Sequence, residues 1–125
     1  MEAQLETEIQ AKGLTAPRVT PAQIDSVISQ EFFFTAQEGV EGALMLESSH
    51  AKGTSHESLR LLTFCVLVLV NGFTVTGEFA CASPENFDAE IGRRIARENA
   101  RQKVWALEGY LLKEDLYRDY LEKSE

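Results

Sequence analysis

"LLTFCVLVLVNGFTVTG", residues 61 to 77, decides the fold of this chain. Ten almost wholly apolar residues run into Asn71-Gly72, after which apolar and polar residues alternate strictly. Asn-Gly between two such runs predicts antiparallel strands at 61–70 and 73–80, because both central residues of a tight turn must tolerate positive φ. With a two-residue turn, Val70 faces Phe73, Val68 faces Val75, Val66 faces Gly77 and Phe64 faces Phe79. That side is apolar throughout and is assigned to the core. The other side pairs Leu69 with Thr74, Leu67 with Thr76 and Cys65 with Glu78. Being half polar, it is expected to be partly covered or to lie against another subunit. Cys81 then falls opposite Leu62, on the other face from Cys65, so two reduced, structural thiols are expected.

Working outward, residues 1–19 read as a polar, flexible arm. Within it "AQLETEIQAK" has the makings of a frayed helix and "GLTAPRVT" those of a linker. A helix is predicted from residue 20, where Thr20 caps, Pro21 suits the first position and Gln23 completes a capping box. Ile24, Val27, Ile28, Glu31 and Phe32 recur at helical spacing, which carries this helix to just before Gly39. A short strand at 43–47 and a loop through "HAKGTSHES" precede the central strand. Beyond it, Ser83 with Pro84, or Asn86, opens a helix whose first turns carry Glu85, Asp88 and Glu90, charges that suit the positive helix end. Phe87, Ile91, Ile95, Ala100 and Val104 form its expected buried stripe, continued by Leu107, Leu111 and Leu112. Gly109 predicts a break near 105–109, with a second helix from 107 to 120. The fold class expected is α+β: a small antiparallel sheet built on the Asn-Gly pair, packed against an N-terminal helix and one or two C-terminal helices. Its parts are an arm at 1–19, one domain at 20–118 and a frayed tail at 119–125.

With 125 residues the chain suffices for one domain and not for two. No start region resembles a signal peptide, and the run at 61–70 is half the length of a membrane span. A soluble, intracellular protein without membrane contact is expected. Its net charge of −8 disfavours binding to a nucleic-acid backbone or an anionic membrane. His50 and His56 share a Ser/Gly/Lys-rich loop, and with two cysteines they suggest no metal and no cofactor. No phosphate-binding glycine loop, nucleophile elbow or zinc helix motif is present, so no catalytic residue is assigned and a non-enzymatic protein is expected.

The charge is unevenly spread. Residues 93–103 hold Arg93, Arg94, Arg97, Arg101 and Lys103 against Glu98 alone, a local balance of +4. Arg93, Arg97 and Arg101 repeat every fourth residue along one helix side. Glu90 reaches Arg93 and Arg94, and Glu98 reaches Arg94 and Arg101, but Arg97 has no carboxylate three or four positions away. One reading is a solvated or salt-bridged face. The sharper one is an anion site, because guanidinium forks bind phosphate and carboxylate bidentately. Asn86 stands at a helix start that can hold an anion, although a self-capping role competes there. Trp105, Tyr110, Tyr117 and Tyr120 read as packing residues of the last helix.

Three stretches, "LTFCVLVLVNGFTVTGEFAC", "SPENFDAEIGRRIARENA" and "VWALEGYLL", resemble the gene-forty-nine/gene-sixty-six family of small tailed-phage proteins. They run in unbroken order from 61 to 113. Ala106 stands where members often carry Pro, a departure that lets the helix run through. The resemblance implies a phage or prophage product in the host bacterial cytoplasm and supplies no catalytic residue. Small phage proteins of similar build include homo-oligomeric sponges for nucleotide-derived immune signals. The function it implies is therefore anti-defence: sequestration of a cyclic ADP-ribose isomer or cyclic oligonucleotide in a homo-oligomer, with Arg93, Arg97, Arg101 and Asn86 as ligand-binding residues. The alternative is an accessory protein that binds a host protein and inhibits or redirects it.

Overall fold

The structure is a computed structural model that describes residues 1–46 and 56–124. Chain order is α1 (Glu2–Ala11), α2 (Pro21–Val27), β1 (Ile28–Thr35), α3 (Ala36–Leu46), α4 (Glu57–Arg60), β2 (Leu62–Leu69), β3 (Thr74–Ala80), a 3-10 turn (Pro84–Asn86) and α5 (Ala89–Lys123). The class is α+β, with β2 at the centre of a three-stranded antiparallel sheet ordered β1-β2-β3. His50 lies outside the described residues. Of the strand expected at 43–47, the described part belongs to α3 instead.

The β2–β3 connection differs from the two-residue turn expected. It is a three-residue loop, Val70-Asn71-Gly72: Gly72 N–H donates to Leu69 O (2.8 Å), and Leu69 N–H donates to Phe73 O (2.8 Å). Asn71 Oδ1 accepts from Phe73 N–H at 3.0 Å, and Gly72 holds φ +89, the left-handed region that glycine enters without a Cβ clash. One extra loop residue shifts the register by one. Leu67 now faces Val75 and Cys65 faces Gly77, so β2 turns its other side to the core. Cys65 and Leu67 are fully buried and Leu69 nearly so, whereas Phe64, Val66 and Val68 lie on the far face.

The slip also changes why the cysteines stay apart. Cys81 N–H bonds to Leu61 O, so Cys81 sits level with Leu61 and has the same strand parity as Cys65. Both thiols are free. Four residues of strand, about 13 Å, separate the two levels, well beyond disulfide reach.

The second correction is β1. Thr20 Oγ1 does accept from Gln23 N–H at 3.2 Å, and Pro21 opens α2, but the helix ends at Val27. Residues 28–35, "ISQEFFFT", leave helical spacing and pair with β2. A run of three phenylalanines and a threonine suits a pleated surface, and the open edge of β2 supplies the backbone partners. Glu31 and Phe33 face the same side as Leu67 and Cys65, while Phe32 and Phe34 face the other.

The third is α5, which runs unbroken for 35 residues, about 52 Å, through the expected break at 105–109. Asp88 is its cap, accepting from Ile91 N–H at 3.0 Å, and neither Ser83 nor Asn86 caps it. The buried stripe is Gly92, Ala96, Ala100, Arg101 and Val104. Ile91 and Leu111, expected in the core, are about half exposed (48% and 53%). Small residues line the contact because the helix lies directly on β3: a Cβ built on Gly77 would stand 2.2 Å from Ala96 O and Ala100 N. The core is closed by Ile24 of α2, with Val19, Val27, Ile28, Phe33, Phe79, Trp105 and Leu107 packed around it.

Candidate functional site

α5 projects its arginines in three different environments, so the row does not act as one surface. Arg93 is exposed and makes no ion pair among the described residues. Arg97 has the partner that its own helix lacks: its Nε donates to Glu31 Oε2 of β1 at 2.7 Å. Glu31 was the polar exception in the predicted helical stripe, and the strand pairing turns it toward α5. Arg94 pairs with Glu90 at 3.1 Å along the helix, whereas Glu98 accepts from Gln102 at 2.9 Å rather than from an arginine. Asn86 lies exposed in the 3-10 turn ahead of the Asp88 cap. Its side chain forms no hydrogen bond with these arginines among the described residues.

Arg101 is buried, with 4% of its surface exposed. Its Nε donates to Asp25 Oδ1 at 3.1 Å, one Nη donates to Pro21 O at 3.4 Å, and the other donates to the Glu2 carboxylate. One turn later, Trp105 Nε1 donates to the same oxygen, Glu2 Oε2, at 3.3 Å. These contacts explain both charge states. The Glu2 carboxylate, followed by Asp25, holds the Arg101 proton more tightly than usual, against the effect of burial. Arg101, with smaller help from Trp105, holds the Glu2 carboxyl below its ordinary range. The sequence offered Arg101 as a candidate and Trp105 as a packing residue but gave no sign of Glu2 or Asp25, because those partners come from α1 and α2.

The far face of the sheet is the other notable surface. Phe32 and Phe34 of β1 stand beside Val66 and Phe64 of β2, with Val68 following. Phe34 and Phe64 stack with ring centroids 5.5 Å apart, and α3 reaches the face there, where Gly39 comes against the Phe34 ring. Phe32 remains 52% exposed. On β3 the same face carries Thr74, Thr76 and Glu78, all exposed.

Cys65 shows how dry the opposite face is. Burial, with Glu31 nearby, pushes its thiol up to about 11. The folded protein thus keeps a proton that the unfolded chain loses near pH 9. Stability is expected to fall as pH rises from about 9 to 11, by at most about 1.4 kcal/mol per pH unit. Iodoacetamide should label the half-buried Cys81 in native protein and spare Cys65 until denaturant is added. Equal labelling of both thiols would contradict the packing of α5 over Cys65.

Among the described residues no helix is long and apolar enough to cross a membrane. Sheet, long helix and short helices together define a small α+β protein. The chain belongs to the Phage protein (N4 Gp49/phage Sf6 gene 66) family, whose model matches residues 19–116. No curated protein and no solved structure matches it.

Proposed function

We propose that this phage protein is a non-enzymatic accessory factor that binds a host protein and inhibits or redirects it, with the open sheet face as its binding surface. The observation that carries the reading is the continuous apolar area of Phe32, Phe34, Phe64, Val66 and Val68. Soluble proteins keep contiguous apolar patches small unless they are used for binding, and aromatic residues dominate the energy of protein interfaces. The threonine and glutamate row of β3 gives the patch a polar rim. A net charge of −8 favours basic protein surfaces over nucleic acid. The test compares capture from host lysate by native protein and by Phe32→Asp, whose half-exposed position tolerates the change. One host protein should be retained in stoichiometric amount by the native protein and lost by the variant. Equal retention by both, or none by either, overturns the reading. A dimer in sedimentation that Phe32→Asp dissolves would give the face to a second copy, as in the homo-oligomer expected from the sequence.

Sequestration of a nucleotide-derived immune signal rests on one observation, the exposed Arg93, which makes no ion pair among the described residues. Against it, a phosphate at Arg97 or Arg101 must first displace Glu31, Glu2 or Asp25. Calorimetry with cyclic ADP-ribose isomers and cyclic oligonucleotides decides the matter. Binding that weakens in Arg93→Ala and Arg97→Ala would restore the arginine site.

A further inference from the structure

The last third of α5 extends past the sheet. The helix passes the β2–β3 loop at Leu107, Tyr110 and Leu111, which line a cleft of about 250 Å³ together with Val70 and Phe73. Beyond that level, residues 112–123 continue for about 18 Å. From Asp115 onward every described residue is exposed. A concavity along this stretch is lined by Tyr110, Lys113, Glu114, Leu116, Tyr117 and Tyr120, all of them on α5 itself. Tyr110, Tyr117 and Tyr120 are 71%, 52% and 67% exposed. This part of the helix is therefore amphipathic, yet no other described element covers its apolar side.

That side is nearly its own mirror along the chain. About the midpoint between Lys113 and Glu114, Tyr110 mirrors Tyr117, Leu111 mirrors Leu116 and Leu107 mirrors Tyr120. The midpoint itself is one cation beside one anion. Lys113 is exposed and makes no ion pair among the described residues. Glu114 gives Oε1 to Arg118 at 3.2 Å along the helix, which leaves its other oxygen for a partner. At about 100° per residue, Tyr110 and Tyr117 stand within about 20° of each other, with Lys113 on one flank and Glu114 on the other. Glu108, Asp115 and Asp119 fall on the opposite side of the helix, away from this seam. Upstream on the seam side, Lys103 and Ala106 are exposed, which leaves room for the end of another helix.

We infer that this face of α5 is a self-recognition surface: a second copy of the chain packs antiparallel on residues 107–120, about a two-fold axis between Lys113 and Glu114. The mirrored order commits the surface to a second copy. Reversal about that axis sets Tyr110 of each chain against Tyr117 of the other, and Lys113 of each against Glu114 of the other. Every feature thus acts twice, as an isologous contact requires. The helix of an unrelated protein needs neither the paired tyrosines nor opposite charges side by side at the centre. Tyr117 of the second copy also comes level with the cleft walled by Val70 and Phe73, where its ring adds aromatic burial. The acidic side of each helix stays in solvent, so the net negative charge does not meet itself across the contact. The sheet face carrying Phe32 and Phe34 is turned away from α5, so the pairing leaves it open and does not depend on its use.

Sedimentation of the full-length protein tests this with two charge reversals. Lys113→Glu opposes two carboxylates at each crossing, and Glu114→Lys opposes two ammonium groups. Native protein should sediment as a dimer, and each variant should self-associate about ten-fold more weakly or worse. An equimolar mixture of the two variants should recover the dimer, with one chain of each, because both crossings then pair opposite charges. A purely structural role for these side chains within one chain cannot produce that recovery, since each chain keeps its own altered charge. Phe32→Asp should leave the dimer intact. A native monomer, or a dimer that either reversal leaves at full strength, would overturn the inference. So would a mixture no more dimeric than its components, or a dimer that Phe32→Asp dissolves.

Discussion

Gly77→Ala should lower the thermal midpoint by about 10 °C or more, although it adds a single methyl group. The added Cβ would stand 2.2 Å from Ala96 O and 2.2 Å from Ala100 N, and 2.9 Å from Ala100 Cα. All three are backbone atoms of α5, so no side chain can swing aside to make room. The helix has to retreat from β3, which opens the contact made by Ala96, Ala100 and Val104, all fully buried. Overpacking of this kind costs about 3 kcal/mol or more, a large part of the stability of a domain this size. At a few degrees per kcal/mol, the shift reaches about 10 °C. Gly109→Ala is the matched control. A Cβ there meets nothing within 4 Å, and alanine favours the helix interior over glycine by about 1 kcal/mol. The same chemical change should therefore destabilise at one position and stabilise at the other. Thermal melts followed by circular dichroism would read both, and an unchanged midpoint for Gly77→Ala would mean that α5 does not lie so close to β3.

Leu67→Ala should cost about 2–5 kcal/mol, and Val66→Ala less than about 1.5 kcal/mol. Adjacent residues of one strand are used because the pair decides the register. Leu67 is fully buried beneath α5, and its truncation leaves a cavity that close-packed neighbours cannot fill. Val66 stands on the open face beside Phe32 and is only partly covered. The two-residue turn read from the sequence predicts the reverse order, with Val66 in the core and Leu67 outside. Urea unfolding of the two variants measures the difference, and a larger loss for Val66→Ala would restore the shorter turn. If a second copy covers the open face, the cost at Val66 should rise with protein concentration while that at Leu67 stays constant.

Much of this molecule was legible because the signals were local. The Thr20 cap and Pro21 start a helix through contacts spanning three residues. Two apolar runs joined through Asn71 and Gly72 pair as antiparallel neighbours whether the loop has two residues or three. Loop length itself was not legible, since Asn-Gly suits both loops, and that one residue reversed the faces of β2. The break expected at Gly109 failed for a related reason. One glycine costs a helix only about 1 kcal/mol, which 35 continuous residues and the packing of α5 on the sheet outweigh.

The arginine site was less legible than the fold. Intrahelical spacing left Arg97 without a partner, yet Glu31 stands 66 residues earlier in the chain and reaches it only once 28–35 is a strand beside β2. Arg101 meets Glu2 and Asp25 from still further away. Sequence spacing therefore exposed the charge asymmetry without showing where it is neutralised.

By itself, the order of residues determined that an antiparallel β2–β3 pair would form, that a capped helix would begin after Thr20, and that a long arginine-bearing helix would follow the sheet. Those outcomes need only backbone propensity, caps and short-range pairing. Tertiary structure alone decided that "ISQEFFFT" is a strand, which side of β2 is dry, and that Arg97 and Arg101 are held by Glu31, Asp25 and Glu2. The reason is that an unpaired strand edge and an uncompensated buried charge both carry costs that can be met only by groups distant in sequence, and the fold that brings those groups together overrides local periodicity.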